Sequence, residues 1–436
     1  MEQIPRVLSW RNMLVLSLAI NFSLILRILK GDDEYSLYRT AYFSMWPVAS
    51  GSSASCNYNE MEEEKDDDRI INLKLGDPTV YERYWQEMGE MATMVIPGWQ
   101  SLSYFSDNNN NLCWFLEPEL GKEIVRVHNV VGNAVTQDRF IVVGTGSTQL
   151  YQAALYALSP RDDSGPINVV SAAPFYSSYP LITDCIKSGL YRWGGDAKTY
   201  KEEGPYIELV TSPNNPDGFL RKPVVNRSKG ILIHDLAYYW PQYTPITSIA
   251  DHDVMLFTAS KSTGHAGMRI GWALVKDRET AKKMTEYIEL NTIGVSKDSQ
   301  LKASKVLKVV SDSCEKSGNE TAKSFFEHSY DALSKRWELL RQAAKNSQHF
   351  TVPDFASQRC NFLGKVFESQ PAFAWLKCGK GIVDCEKFLR EKQKILTKSG
   401  KYFGDDQSYV RISMLDRDSN FKIFLHRISS SFNSTL

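Results

Sequence analysis

An α/β fold is predicted for this chain: a large domain with a mostly parallel sheet flanked by helices, joined to a smaller α+β lobe. Three observations carry the prediction. Between about residues 138 and 275, short β-branched runs alternate with helical stretches, the rhythm of strand–helix–strand units. Several of those runs are continuously apolar rather than alternating, as strands buried on both faces are. Polar or glycine-rich residues follow nearly all of them, and in an open α/β sheet ligands bind at the carboxyl ends of the strands.

The candidate strands begin at Phe140, Ile167, Ile207, Ile231, Val254 and Ile270 and end at Val143, Val170, Val210, Ile233, Phe257 and Val275. The segments after the first five read Gly-Thr-Gly-Ser-Thr, Ser-Ala-Ala-Pro, Thr-Ser-Pro-Asn-Asn-Pro, His-Asp and Thr-Ala-Ser-Lys. Five such ends imply one ligand beneath them. From about 285 to 345 the pattern is helical and charged, and from about 350 to 436 short strands and helices mix, as in a second lobe. Asn108 to Asn111 reads as an exposed loop.

Composition narrows the class. Of 436 residues, 42% are hydrophobic and 23% charged, which is ordinary for a globular enzyme. Lys+Arg and Asp+Glu stand at 51 each, so no net field favours nucleic acid as a partner. The 7 cysteines are scattered singly with no CxxC and no Cys/His cluster; they read as free thiols, and no structural metal is expected.

The first 30 residues differ from the rest. Met13 to Leu26 is an apolar run interrupted only by Ser17, Asn21 and Ser23, with Arg6 and Arg11 before it and Arg27 and Lys30 after it. Its length suits a signal-peptide core, but no small-x-small cleavage site follows. With snorkelling by Arg27 and Lys30, the expectation is an uncleaved single-pass membrane anchor; a cleaved signal and an interfacial helix are the alternatives. Residues 31 to 69, rich in serine and ending in an acidic run, read as a polar disordered tether. Sequons at Asn226, Asn319 and Asn433 accept glycans only if the domain is lumenal.

Lys261 is the residue on which the chemistry turns. An apolar strand delivers it to the turn Thr258-Ala-Ser-Lys-Ser-Thr-Gly264, and Arg269 follows. A buried amine has a lowered pKa and acts as a nucleophile, while Thr258, Ser260 and Arg269 suit a dianionic phosphate. Gly144-Thr-Gly-Ser-Thr148 opens a helix, whose unpaired N–H groups attract an anion; it also suits a plain capped turn. It lacks the lysine of a P-loop and the third glycine of a dinucleotide fingerprint. Asp235, after a buried strand, needs a cation, and a protonated pyridine nitrogen is one; a helix N-cap is the alternative. Asn215, held extended by Pro216, and Tyr238 can hydrogen-bond a ring oxygen, although simple turn chemistry explains Asn215 equally well.

Taken together, these elements resemble the fold-type I pyridoxal-phosphate aminotransferases (aspartate aminotransferase-like). More narrowly, the chain resembles the plant alliinase C-terminal family and, within it, the tryptophan aminotransferase-related enzymes of auxin synthesis. The telling stretches are Leu75-Gly-Asp-Pro-Thr79, Ser103-Tyr-Phe-Ser-Asp107, Leu112-Cys-Trp-Phe-Leu-Glu-Pro-Glu-Leu120, Val143-Gly-Thr-Gly-Ser-Thr-Gln149, Thr211-Ser-Pro-Asn-Asn-Pro-Asp-Gly218, His234-Asp235 with Tyr238-Tyr-Trp-Pro241, Ser260-Lys-Ser-Thr-Gly-His-Ala-Gly267 and Val410-Arg-Ile-Ser-Met-Leu415. The resemblance spans roughly residues 70 to 430. The apolar N-terminus and polar tether resemble the membrane-anchored branch of that family, which implies residence at the endoplasmic reticulum.

The resemblance implies one domain over 70–436, with a large cofactor lobe at about 120–340 and a small lobe from about 70–119 and 341–436. It also implies a role for each matching residue. Lys261 would hold pyridoxal 5'-phosphate covalently and move a proton. Asp235 would pair with the ring nitrogen, Asn215 and Tyr238 with the ring hydroxyl, and Tyr176 would stack on the ring. Ser147, Thr148, Thr258, Ser260 and Arg269 would hold the phosphate. Tyr104 would reach the phosphate of the neighbouring subunit, making a homodimer the active unit. Arg411 would clamp the substrate carboxylate, with Gly76 beside it.

Three functions compete. The first is amino transfer from L-tryptophan to an oxo-acid such as pyruvate, giving indole-3-pyruvate and an amino acid. The second is C–S lysis of cysteine sulfoxides, as in alliinases; those resemble a form with a cysteine-rich module, whereas only Cys56 precedes Cys113 here, which favours transfer. The third, a membrane-tethered scaffold with a relict site, leaves the imine-forming lysine without a purpose.

Overall fold

The computed structural model describes residues 69–105, 111–160, 165–316, 323–347, 349–379 and 381–430. The apolar N-terminal run, the tether apart from Arg69, the 108–111 loop apart from Asn111, and the sequons at Asn319 and Asn433 lie outside them. No helix among the described residues is long and apolar enough to cross a membrane.

The first described strand is β1 (Ile71–Asn72). The large sheet is then built from β2 (Phe140–Gly144), β3 (Ile167–Ser171), β4 (Tyr191–Asp196), β5 (Tyr206–Thr211), β6 (Gly230–Asp235), β7 (Val254–Thr258) and β8 (Gly271–Val275). Its order is β2-β8-β7-β6-β5-β3-β4, and only β8 runs antiparallel to its neighbours. β3, β5, β7 and β8 are buried along their whole length, as their largely apolar sequences require; Asn168 in β3 and Glu208 in β5 are buried polar exceptions that hydrogen-bond to neighbouring segments. All six expected strands are present.

The seventh, β4, was not expected. Its sequence Tyr-Arg-Trp-Gly-Gly-Asp carries two glycines and an arginine, and its pairing with β3 shifts register between Val169 and Val170. It lies at the sheet edge, where a weak strand motif is tolerated.

Because β2 is parallel to β7, the carboxyl ends of β2, β3, β5, β6 and β7 all lie along one edge of the sheet. The helix Gly146–Leu158 follows β2, and helices Arg278–Thr292, Lys297–Lys316 and Phe325–Ser347 follow β8. Beyond these helices come β9 (Phe350–Thr351) and the pair β10 (Gln358–Arg359) and β11 (Val366–Phe367). The chain continues through β12 (Phe373–Cys378), β13 (Ile395–Leu396), β14 (Lys398–Ser399) and β15 (Tyr409–Ser413). A second, antiparallel sheet has the order β14-β15-β12-β9, while β1 pairs in parallel with β13. The main apolar core runs through both sheets, and Val170, Ala197, Tyr200 and Tyr206 form a smaller separate cluster.

One expectation is corrected. Cys378, at the end of β12, and Cys385, opening the helix Cys385–Gln393, form a disulfide with Cα atoms 5.6 Å apart. Their spacing of seven matches no familiar motif; the sheet and the helix start bring them together, which the sequence pattern does not show. Cys113, Cys185, Cys314 and Cys360 remain thiols.

Candidate active site

At the carboxyl end of β7 the chain makes a single helical turn, Ala259–Ser262, that carries Lys261. Thr258 shapes the turn: its hydroxyl accepts from the Ser260 N–H at 3.2 Å and donates to the Ile270 carbonyl at 3.2 Å. So short a helix leaves its last carbonyls without intrahelical donors. Side chains from elsewhere supply them. Tyr243 Oη donates to the Lys261 carbonyl at 3.1 Å, Gln242 donates to the carbonyls of Lys261 and Ser262, and Tyr81 Oη donates to Tyr243 at 3.1 Å. Trp85 Nε1 donates to the Thr263 carbonyl at 3.0 Å.

The backbone of Lys261 is thus held from two sides while its amine projects into the cleft. Nζ donates to the Gly76 carbonyl at 2.6 Å. Burial, with Arg411 next in strength and Arg269 adding to it, brings the amine down to about 8; Asp77 opposes the shift. Gly76 must be glycine here, because a Cβ would stand 2.7 Å from the Phe373 ring.

Asp235 ends β6, next to Thr211 at the end of β5. Its carboxylate accepts from Tyr179 Oη at 2.7 Å and from the Ala237 N–H at 3.1 Å. No helix begins there, so the capping alternative falls away. Burial pushes the carboxyl above its usual range, and the two hydrogen bonds only partly offset this. No cationic side chain pairs with it among the described residues. Asn215 donates to Tyr238 Oη at 3.4 Å, and both are buried beside it. Tyr176 meets Tyr179 edge-on at 5.3 Å, whereas Phe175 turns away to pack on Trp193.

The anion cradle forms where the helix Gly146–Leu158 starts. Its N-cap, Thr145, makes no side-chain capping bond, so the first-turn N–H groups around Ser147 and Thr148 keep their capacity. Arg269, at a φ of 55°, swings its guanidinium over that end: a Cβ on Gly146 would lie 2.6 Å from Nη2. Its Nη1 donates to the Ala266 carbonyl at 2.9 Å and to Ser260 Oγ at 3.5 Å. A guanidinium facing a helix N-terminus sets positive against positive, an arrangement that an anion between them stabilises.

The opposite wall belongs to the second, antiparallel sheet. Arg411 of β15 is buried; Nη1 donates to Asn215 Oδ1 at 3.0 Å and Nη2 to the Lys74 carbonyl at 2.7 Å. Its guanidinium carbon lies 4.0 Å from the Phe373 ring centre and 5.2 Å from that of Phe403, and Nε has no partner. Across the strand pair stands Lys398, whose amine burial pushes down to about 7, with Arg411 and Lys74 adding to the shift and Glu386 opposing it.

The structure therefore brings Lys261, Asp235, Asn215, Tyr238, Tyr176, Ser147, Thr148, Ser260, Arg269, Arg411 and Gly76 to one cleft. Thr258 lies there too, but its hydroxyl is committed to the turn, so it shapes the cradle. Tyr104 is not part of the cleft: it is 70% exposed, and no hydrogen bond or ring contact joins it to the others among the described residues. Sequence reasoning missed Tyr179, Lys398, Gln242 and Tyr243. The hydroxyl of Tyr179 was visible in the run Phe175-Tyr-Ser-Ser-Tyr179; nothing in the sequence sets Lys398 apart from other lysines.

These residues fit pyridoxal phosphate. A buried carboxylate without a cation suits a protonated ring nitrogen, opposed positive groups suit a phosphate, and an amine of lowered pKa between them suits imine formation.

Known proteins agree. Residues 71–432 match the family profile described as allinase. The chain is 81% identical to tryptophan aminotransferase-related protein 2 of Arabidopsis thaliana over the full length of both. It is 36% identical to alliin lyase 1 of Allium sativum, covering 80% of this chain and 72% of that one. Among solved structures, the methionine aminotransferase YbdL of Escherichia coli superposes with a TM-score of 0.58 at 13% identity, over 83% of this chain and 93% of the other. The aspartate aminotransferase of Rhizobium meliloti gives 0.57 at 17% identity, over 83% and 90%. The fold is therefore that of the fold-type I pyridoxal-phosphate enzymes, and the chain is an enzyme of aminotransferase type. It belongs to the allinase family.

Proposed function

We propose that the protein transfers the amino group of L-tryptophan to an oxo-acid, pyruvate in the first instance, yielding indole-3-pyruvate and an amino acid for auxin synthesis. The observation that carries this reading is the convergence of Lys261, Asp235, Arg269 and Arg411 on one cleft. The 81% identity to tryptophan aminotransferase-related protein 2 supports the choice of substrate.

When bound, pyridoxal phosphate supplies the electron sink that lets a substrate's α-proton leave. The chain's residues do the rest. Lys261 would hold the cofactor through Nζ, and the same amine, brought down to about 8, would take up and return the substrate's α-proton. Asp235 keeps the ring nitrogen protonated, Asn215 and Tyr238 hold the ring hydroxyl, and Tyr176 covers the ring. Ser147, Thr148, Ser260 and Arg269 hold the phosphate, with Thr258 fixing their turn. Arg411 and Gly76 orient the substrate carboxylate, with the Phe373 ring against the guanidinium.

Two further elements belong to this reading. Tyr104 completes the phosphate site of a second copy in a homodimer; its exposure together with Trp99, Leu102 and Phe105 supports that role. The apolar run from Met13 to Leu26 anchors the enzyme at the endoplasmic reticulum, with residues 31 to 69 as tether.

The test is an assay of labelled tryptophan with and without pyruvate. Indole-3-pyruvate that forms only when the oxo-acid is present supports transfer. Pyruvate and a sulfenate released from a cysteine sulfoxide, with no product from tryptophan, replaces it with the lyase reading.

A further inference from the structure

Asp235 needs more than a ring nitrogen to stay ionised, and its surroundings show what else is provided. Tyr179 opens the helix Tyr179–Asp184, and its hydroxyl reaches the residues that end β5 and β6. Its Oη lies 2.7 Å from Asp235 Oδ2 and 2.6 Å from Thr211 Oγ1. With Tyr179 donating to the carboxylate, Thr211 is left to donate to the phenol. The backbone of Tyr179 is itself fixed, because Thr183 donates to its carbonyl at 2.7 Å and Tyr151 Oη lies 2.5 Å from the Thr183 hydroxyl. The Tyr179 ring packs between those of Tyr151 and Tyr176, each at 5.3 Å.

We propose that Tyr179 is a positioning residue for the cofactor: by donating to Asp235 Oδ2, with Thr211 behind it, it keeps the carboxylate ionised and aimed at the ring nitrogen. This rests on the pyridoxal-phosphate reading of the site. A phenol donating to a carboxylate at this distance is a charge-assisted bond, and such bonds favour the ionised form. Burial and the charge of Asp235 hold the Tyr179 phenol well above its ordinary value, so it remains a donor throughout the working range. The other titratable groups facing Asp235 are Tyr151 and Tyr238, both also raised by burial and uncharged there. His234 precedes it in β6, stacked on His252; burial and His252 bring His234 to about 3, so it too stays neutral.

The sign follows. Asp235 is ionised above its pKa, and loss of the donor raises that pKa further. Affinity for pyridoxal phosphate must then fail at a higher pH as the solution is acidified.

The experiment measures the dissociation constant of pyridoxal phosphate from Tyr179→Phe, Thr211→Val and the parent, across a pH series. Tyr179→Phe keeps the ring packing and is expected to weaken binding about tenfold, as loss of a hydrogen bond to a charged group does. It should also shift the acid limb upward, with Thr211→Val shifting it less in the same direction. Uniform weakening at all pH values, with the limb in place, would mean a merely structural role and overturn the proposal. If Tyr179→Phe fails to fold, an unmoved limb in Thr211→Val overturns it equally. Asp235→Asn separates the two levels. Loss of cofactor in that variant beside parental behaviour in Tyr179→Phe defeats only this proposal, whereas a parent that takes up no pyridoxal phosphate at any pH defeats the cofactor reading.

Discussion

The cleft has two walls, and they are assembled in opposite ways. On the large-sheet side, Asp235, Thr258, Ser260, Lys261 and Arg269 come from one continuous stretch of chain between the end of β6 and the start of β8. Strand ends and tight turns present them, and the pairing of β6 with β7 brings Asp235 beside the Lys261 turn. On the small-lobe side, Arg411 reaches Asn215 across 196 positions of sequence and Lys74 across 337. Gly76 meets Lys261 across 185. The first wall is built from neighbouring strand ends of one sheet, with Tyr81 and Trp85 bracing its turn; the second exists only when two sheets and the strap from β1 to Tyr81 are all in place. The reactive side chains of the two walls come from different parts of the chain, and substitutions should separate them.

Lys261→Ala is the largest expected effect. It removes both the covalent link and the proton carrier, so activity should fall by at least ~10³-fold, the upper part of the range for loss of a general acid–base group. The turn keeps its backbone hydrogen bonds from Tyr243, Gln242 and Trp85, so unfolding temperature without cofactor should stay near that of the parent. A visible absorbance band from covalently held cofactor that persisted in this variant would transfer the role to another lysine, with Lys398 the first to examine.

Arg411→Lys acts on the opposite wall. A lysine keeps the charge but loses the fork that engages Asn215 and the Lys74 carbonyl while facing a carboxylate. The amino-acid KM should rise about 10- to 100-fold, the worth of one charged hydrogen bond, with cofactor affinity nearly unchanged. Loss of cofactor in the same proportion would show that the walls are not separable.

The same contrast explains what the sequence disclosed. The carboxyl ends of β2, β5, β6 and β7 were legible because buried parallel strands are unbroken apolar runs and their ends carry polar turns. Lys261, Asp235 and Arg269 were legible for the same reason. Arg411 was not: Val410-Arg-Ile-Ser reads as an ordinary strand with one charge, and only resemblance to known enzymes singled it out. Lys398 acquires meaning from a cross-strand partner that no local pattern names. β4 escaped because glycines and a bulge erase its periodicity. The Cys378–Cys385 bridge escaped because strand pairing and a helix start, rather than spacing, bring the two sulfurs together. Thr258 was placed in the right turn, but its bonds to the Ser260 N–H and the Ile270 carbonyl were not legible, since hydrogen-bond commitments are invisible until the backbone is laid down.

One coupling crosses the cleft, and it is the smallest and most discriminating effect. Burial is the main reason that Lys261 lies near 8, but Arg411 is the next, so the substrate wall acts on the cofactor wall through its charge. The neutral amine is the nucleophile. Capture of pyridoxal phosphate by cofactor-free protein should therefore be slow below about 8 and level off above it. Arg411→Met removes the charge, raises the amine's pKa and moves that limb to higher pH. Arg411→Lys retains the charge and should leave the limb near its parental position, although it damages substrate binding. Asp77→Asn removes the opposing carboxylate and should move the limb to lower pH. The rate of capture, followed by absorbance across a pH series, reads all three. A limb that stays in place in Arg411→Met would mean that burial alone sets the amine, and that the two walls are electrostatically independent as well as separately built.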